Sequence, residues 1–120
     1  MSDFQNLVDR YLMIWNEPDP TVRRAAIDTL FTADVTFVDP TASLTGPAAI
    51  NDLITSVQAQ FPGYVLTQLG AVDGHHAQAR FGWEAALPGE PAQVAGSDVV
   101  ALSADGRINQ VFGFLDLVPA

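Results

Sequence analysis

Residues 92–117, AQVAGSDVVALSADGRINQVFGFLDL, are dense in β-branched and aromatic side chains on both sides of one dipeptide, Asp105-Gly106. A short turn signal between two such runs is the mark of a hairpin, which predicts strands over about 92–103 and 107–117. Working backwards, Pro88-Gly89 and Asp73-Gly74 punctuate two more runs, predicting strands over about 77–87 and 64–72. The second half of the chain therefore reads as a four-stranded antiparallel meander.

The first half has a different period. From Asp3 to about Glu17, Phe4, Leu7, Val8, Tyr11, Leu12, Ile14 and Trp15 recur at three- and four-residue spacing, one face of a helix that Ser2 or Asp3 can cap. Pro18 and Pro20 interrupt it, and a second helix follows from about Thr21 to Phe31, with Val22, Ala26, Ile27 and Leu30 on one side. A strand over 34–39 leads into a loop, TASLTGPAAI, and a third helix runs from Pro47 to Phe61. Helices followed by an antiparallel sheet indicate an α+β fold with the helices stacked on one curved face. With 120 residues and no repeat or linker, residues 1–120 make one domain.

Composition removes several classes of function. The net charge is −9, all five basic residues are Arg (10, 23, 24, 80 and 107), and Lys is absent. Nucleic acids and anionic membranes need a clustered basic face, so neither is an expected partner. No apolar run is long enough to span a bilayer, no leader is visible, and there is no Cys, all of which predicts a cytoplasmic protein. The Ala-rich, Lys-free composition suggests a bacterial source. His75 and His76 follow the Asp73-Gly74 turn with no third ligand, so no metal site is expected, and no phosphate loop or nucleophile elbow is present.

Two carboxylates stand out. Asp39 ends the strand TFVD before Pro40, where it serves either as a turn former or, since it shares a side with Phe37, as a base at the rim of an apolar interior. Asp98 sits among apolar neighbours and alternates onto one face with Val94, Gly96 and Val100. On a buried face its pKa would be raised and it would hold a proton; on an exposed face, or beside an Arg, it would not. Tyr11 and Trp15, one helical turn apart, share a side. Phe81, Trp83 and Ala85 alternate with Arg80, Gly82 and Glu84, and the apolar set is expected to face inward.

The segments RYLMIWN, LFTADVTFVDP, LTGPAAINDLI, GSDVVALSADGRI and GFLD occur in the order found in SnoaL-like proteins of the nuclear transport factor 2-like superfamily, which the whole chain resembles. That resemblance implies a cone-shaped, strongly bent mixed or antiparallel sheet wrapped around three helices and a deep apolar pocket. It also implies homodimers through the outer sheet face, in keeping with the Val, Ala and Leu on the outward faces of the last three strands. Function varies across the superfamily and must come from the pocket. Similarity to ketosteroid isomerase implies a catalytic set of Asp39 as base, with Tyr11 and a protonated Asp98 as hydrogen-bond donors to an enolate, and no cofactor. Supporting tyrosines of some of those isomerases fall at Phe31 and Ile54, which departs from the steroid pattern. Similarity to limonene epoxide hydrolase would use Arg80, but its carboxylate positions fall near Gly82 and Gly113, with Glu84 the one nearby acid. The expected substrate-binding residues are Trp15, Phe37, Phe81, Trp83, Val94, Val111 and Leu115, around an apolar small molecule. Two classes of function result: an isomerase or polyketide cyclase, and a non-catalytic ligand-binding or dimerisation module.

Overall fold

In a computed structural model, described here for residues 3–119, three helices and six strands follow in the order α1 (Asp3–Asn16), α2 (Pro20–Leu30), β1 (Phe31–Asp39), β2 (Ala42–Thr45), α3 (Pro47–Gln60), β3 (Val65–His75), β4 (Gln78–Ala86), β5 (Val94–Leu102) and β6 (Ile108–Leu117). Ser2, a candidate cap of α1, lies outside the described residues. The strands form one mixed sheet of order β2-β1-β6-β5-β4-β3, antiparallel except where β1 lies parallel to β6. The fold is α+β, a curved sheet folded around its helices. None of the helices among the described residues is long and apolar enough to cross a membrane.

Local chemistry sets the element ends. Asp19 caps α2 by accepting hydrogen bonds from the Thr21 N–H (2.9 Å) and the Val22 N–H (3.3 Å), and Pro20 occupies a first-turn position where no donor is lost. Asn16 ends α1 and doubles as a piece of strand: its Nδ2 donates to the Leu66 carbonyl at 2.9 Å and its Oδ1 accepts from the Leu66 N–H at 2.8 Å. The helix layer is thereby tied to the outermost strand, β3.

Two sequence expectations need correction. Residues 42–45, expected in a loop, form β2, which pairs antiparallel with β1 through Asp39↔Ala42 and Thr36↔Thr45. Four residues carry too little pattern to announce a strand; the Asp39 turn and the free edge of β1 create it. The Asp73-Gly74 dipeptide is not a turn either. The strand continues to His75, and the chain reverses at His76-Ala77, with His76 at φ 52°. An irregularity after Leu69, where Gly70 adopts φ 78°, shifts the register so that Asp73 faces Arg80 and His75 faces Gln78. Gly74 serves packing instead: a Cβ there would stand 2.6 Å from the Phe4 ring of α1.

The core lies between the helices and the concave face of the sheet. Val8, Ile27, Val35, Ile54, Val100 and Ile108 are completely buried, each such side chain contributing about 1.5–3 kcal/mol. A cationic side chain is buried with them. Arg23 of α2 donates through Nε to the Glu17 carbonyl (3.0 Å) and through Nη1 to the Asn51 carbonyl (3.1 Å), Asn51 Oδ1 (2.9 Å) and Thr55 Oγ1 (2.8 Å). Gln58 of α3 donates to the Trp15 and Glu17 carbonyls at 2.9 Å each. This polar knot fixes the α1–α2 connection against α3, and α1 and α3 line the cavity described next.

Candidate active site

Tyr11 points from α1 toward the middle of the sheet, where Phe31 and Phe81 pack against its ring at centroid distances of 6.1 and 5.3 Å. Its hydroxyl donates to Asp98 Oδ2 on β5 at 2.7 Å. From β4, the Trp83 Nε1–H donates to Asp98 Oδ1 at 3.3 Å. Asp98 is 6% exposed and Tyr11 1%. Burial pushes the Asp98 carboxyl up to about 6, against the opposing pull of its two donors, and the charge of Asp39 adds a smaller rise. Burial first, then the Asp98 charge, raises the Tyr11 phenol well above its ordinary value, so it stays a hydrogen-bond donor. The buried-face reading of Asp98 holds, and no Arg touches it.

Asp39 forms the turn and also lines the cavity. Oδ1 accepts from the Thr41 N–H, the Thr41 hydroxyl and the Ala42 N–H, all at 2.8 Å, which builds the turn into β2. Oδ2 has no hydrogen-bond partner among the described residues, and the residue lines the same cavity as Asp98 and Tyr11. Gly113 of β6 lies between the two carboxylates: a Cβ there would stand 3.0 Å from the Asp39 Cβ and 3.1 Å from Asp98 Oδ1.

The cavity has a volume of about 470 Å³ and is open to solvent, within the size range of small-molecule sites. Trp15, Phe37, Trp83, Val94 and Leu115 line it together with Tyr11, Asp39 and Asp98. Phe81 and Val111 do not. Both are buried in the core instead, 3% and 1% exposed, because the Tyr11 ring covers Phe81 and the helices close over the part of the sheet that carries Val111. The sequence reading missed the wall made by Leu53, Val57 and Phe61 of α3 and its exit and by Tyr64 just beyond, and also Leu66 of β3. Leu53, Val57 and Phe61 recur at four-residue spacing, which is the signal that was available. The Trp83 donor was also missed, since register across β4 and β5 decides where an indole N–H points.

Arg80 lies on the opposite face of the sheet, where its guanidinium holds Asp73 at 3.0 Å in an exposed pair. Neither Arg80 nor Glu84 lines the cavity, so the epoxide-hydrolase pattern has no site here. His75 and His76 do not point apart, as adjacent strand residues would: their Nδ1 atoms lie 3.0 Å from each other on the exposed hairpin. Among the described residues no group of three or more His, Cys, Asp or Glu side chains is placed to hold a metal ion.

A profile of the SnoaL-like domain matches residues 8–111. The chain belongs to the SnoaL-like family. Among solved structures, this SnoaL-like protein is similar to a SnoaL-like candidate isomerase from Agrobacterium tumefaciens, with 34% identity, a TM-score of 0.92, and coverage of 97% of this chain and 99% of the other. It shares its fold with a candidate polyketide cyclase from Sinorhizobium meliloti (20% identity, TM-score 0.68, covering 90% and 93%). An NTF2-like protein of unknown function from Cytophaga hutchinsonii has the same fold (14% identity, TM-score 0.67, covering 97% and 92%). No curated protein matches the SnoaL-like chain.

Proposed function

We propose that this protein is a cofactor-independent isomerase or cyclase that moves a proton on a ketone-type substrate of largely apolar character. The observation that carries this reading is the pair of carboxylates on one apolar cavity, Asp98 buried and held by Tyr11 and Trp83, Asp39 partly exposed with one oxygen free. Two acids in unlike surroundings suit the unlike roles of proton acceptor and hydrogen-bond donor.

In this scheme Asp39 Oδ2 removes a proton from the carbon next to the substrate carbonyl. The C–H electron pair shifts to the carbonyl oxygen, forming an enolate. Asp98, protonated in the substrate complex, donates its O–H to that oxygen as charge develops, while the Tyr11 hydroxyl and Trp83 N–H hold the carboxyl in place. The proton on Asp39 then returns to a different carbon, which completes an isomerisation, or the enolate carbon attacks a second carbonyl of the same molecule, the electron pair of that C=O bond moves to its oxygen, and that oxygen takes the proton from Asp39, which completes a cyclisation. The similarity to a candidate isomerase at 34% identity supports the same reaction class.

The test is exchange of α-hydrogens for deuterium in a panel of cyclic ketones, followed by mass spectrometry. The wild type should catalyse exchange and Asp39→Asn, which preserves the turn, should not. A second reading, a non-catalytic binding module, draws on the Tyr11 hydroxyl, whose single proton is already committed to Asp98. Ligand-dependent rises in melting temperature with no exchange in the wild type would select it.

A further inference from the structure

The cavity has unlike ends. Asp98 on β5 stands opposite Phe81 of β4, and the lining continues along the sheet past Trp83, Ala85 and Leu66 to Tyr64, just before β3. Tyr64 precedes Val65, whose register partner Ala86 lies five residues beyond Phe81. At about 3.3 Å per residue, about 16 Å of strand separates the two ends.

The polar side chains on the walls divide as well. Three have their donors spent: the Tyr11 hydroxyl on Asp98, the Thr41 hydroxyl on Asp39, and the Gln58 amide on the Trp15 and Glu17 carbonyls. Ser56, Gln60 and Tyr64, at four-residue spacing, line the cavity with polar groups that have no side-chain hydrogen bond among the described residues. Ser56 and Gln60 are exposed on α3 and keep their water. Tyr64 differs from them. It is half-buried, its ring stands edge-on to Phe61 at a centroid distance of 5.4 Å, and its backbone N–H donates to the Phe61 carbonyl at 3.2 Å. With ring and backbone both held, the hydroxyl is a placed group that loses little freedom when it binds.

The charge on the walls narrows what it can bind. Among the described residues that line the cavity there is no Arg or His, so a carboxylate or phosphate beside Tyr64 meets no counter-charge. A neutral hydroxyl or carbonyl needs none, and a phenol offers it both a donor and an acceptor.

We infer that Tyr64 is a specificity-determining residue, whose hydroxyl binds a neutral oxygen substituent on the end of the ligand remote from Asp98. The inference rests on the reading above that this cavity is the substrate site, and it adds a selection that the groups around Asp98 do not make.

The test is calorimetric titration of the full chain with 4-phenylcyclohexanone, its 3-hydroxyphenyl and 4-hydroxyphenyl analogues, and the 4-carboxyphenyl analogue. The better of the two hydroxylated ketones should bind about three- to tenfold tighter than the parent, with the carboxylate weakest. Tyr64→Phe, which deletes one oxygen and keeps the ring against Phe61, should remove most of that preference, and Tyr64→Leu should do the same. The preference is a ratio within one variant, so a general loss of affinity from a loosened fold does not imitate the result. Hydroxylated ketones that bind no tighter than the parent, a preference unchanged in Tyr64→Phe, or tightest binding of the carboxylate overturns the inference. Deuterium exchange into 4-phenylcyclohexanone without a hydroxyl preference leaves the catalytic reading standing and removes this one. A Tyr64-dependent preference with no exchange into any of the ketones does the reverse.

Discussion

The Trp83 indole lies directly across Gly96, its register partner on β5: a Cβ at 96 would stand 2.6 Å from Trp83 Cζ2 and 2.9 Å from Cε2, and would also press on the Phe114 carbonyl oxygen. The missing side chain is what lets the indole lie flat enough for its N–H to reach Asp98. Gly96→Ala should therefore cost about 1–3 kcal/mol through overpacking and turn the indole away from Asp98. Urea unfolding and the tryptophan emission maximum would read the two effects; an unchanged midpoint and spectrum would contradict the packing described.

Asp98 makes stability depend on pH in a direction unusual for a carboxylate. Its pKa is about 6 in the folded protein, against 3.8 for the ordinary group. Between these values the folded state holds the proton and the unfolded chain has lost it, so this residue's contribution is fully present below pH 4 and is lost as pH rises through 6. The loss is on the order of 3 kcal/mol. The remaining acids are common to wild type and Asp98→Asn, so the difference in unfolding free energy between the two should move toward the variant by that order from pH 4 to pH 7. A difference that does not vary with pH would remove Asp98 as the titrating group.

Tyr11→Phe deletes a donor that favours ionised Asp98 and leaves the ring packing in place. The Asp98 carboxyl should then titrate above its wild-type value of about 6, as followed by carbon-13 NMR of labelled carboxylates. Loss of the bond should also destabilise the fold by about 1–3 kcal/mol above pH 7, where the charged acceptor is left with Trp83 alone. A downward shift would mean that the hydroxyl does not serve Asp98 in solution.

Arg23 hydrogen-bonds to neutral oxygens of the α1–α2 connection and of α3 and buries its guanidinium among them. Arg23→Met should strand those acceptors and cost about 3 kcal/mol or more, a drop in melting temperature on the order of 10 °C. Arg23→Lys should rescue little, because a single ammonium cannot reproduce the planar fork. Full rescue by Lys in a calorimetric scan would count against the network.

The convex side of the sheet exposes Val38, Phe112 and Phe114, and Val38 and Phe112 are register partners across β1 and β6. Phe114 alone is 58% exposed. We expect a second copy of the chain to cover this face: sedimentation should give a dimer at micromolar concentration, and Phe114→Asp should give a folded monomer. A wild-type monomer would leave the patch without this explanation.

Much of this was legible in the amino-acid order, and the exceptions have physical causes. The helices announced themselves through the spacing of Leu7, Val8, Tyr11 and Ile14, and the last three strands through the Pro88-Gly89 and Asp105-Gly106 turns. Tyr11, Asp39 and Asp98 stood out as candidates, and the structure brings them to one cavity. What stayed hidden depends on pairing between distant segments. β2 exists only against β1, the Gly70 irregularity moves a turn by three residues, and whether Phe81 and Val111 line a cavity or fill a core is decided by how the helices lie over them. Spacing along one strand carries none of that information.

The parallel pairing of β1 with β6 also has a temporal side. β1 is synthesised well before β5 and β6, and β2 can protect only one of its edges in the meantime. Until β6 arrives, Phe37 and Asp39 border an open strand edge, the form most prone to join another chain. Gly113, the residue between the two acids, lies on that late strand. A nascent chain halted before β6 would hold Asp39 on a strand whose second edge has no neighbour, and the cavity wall that β6 supplies would be missing.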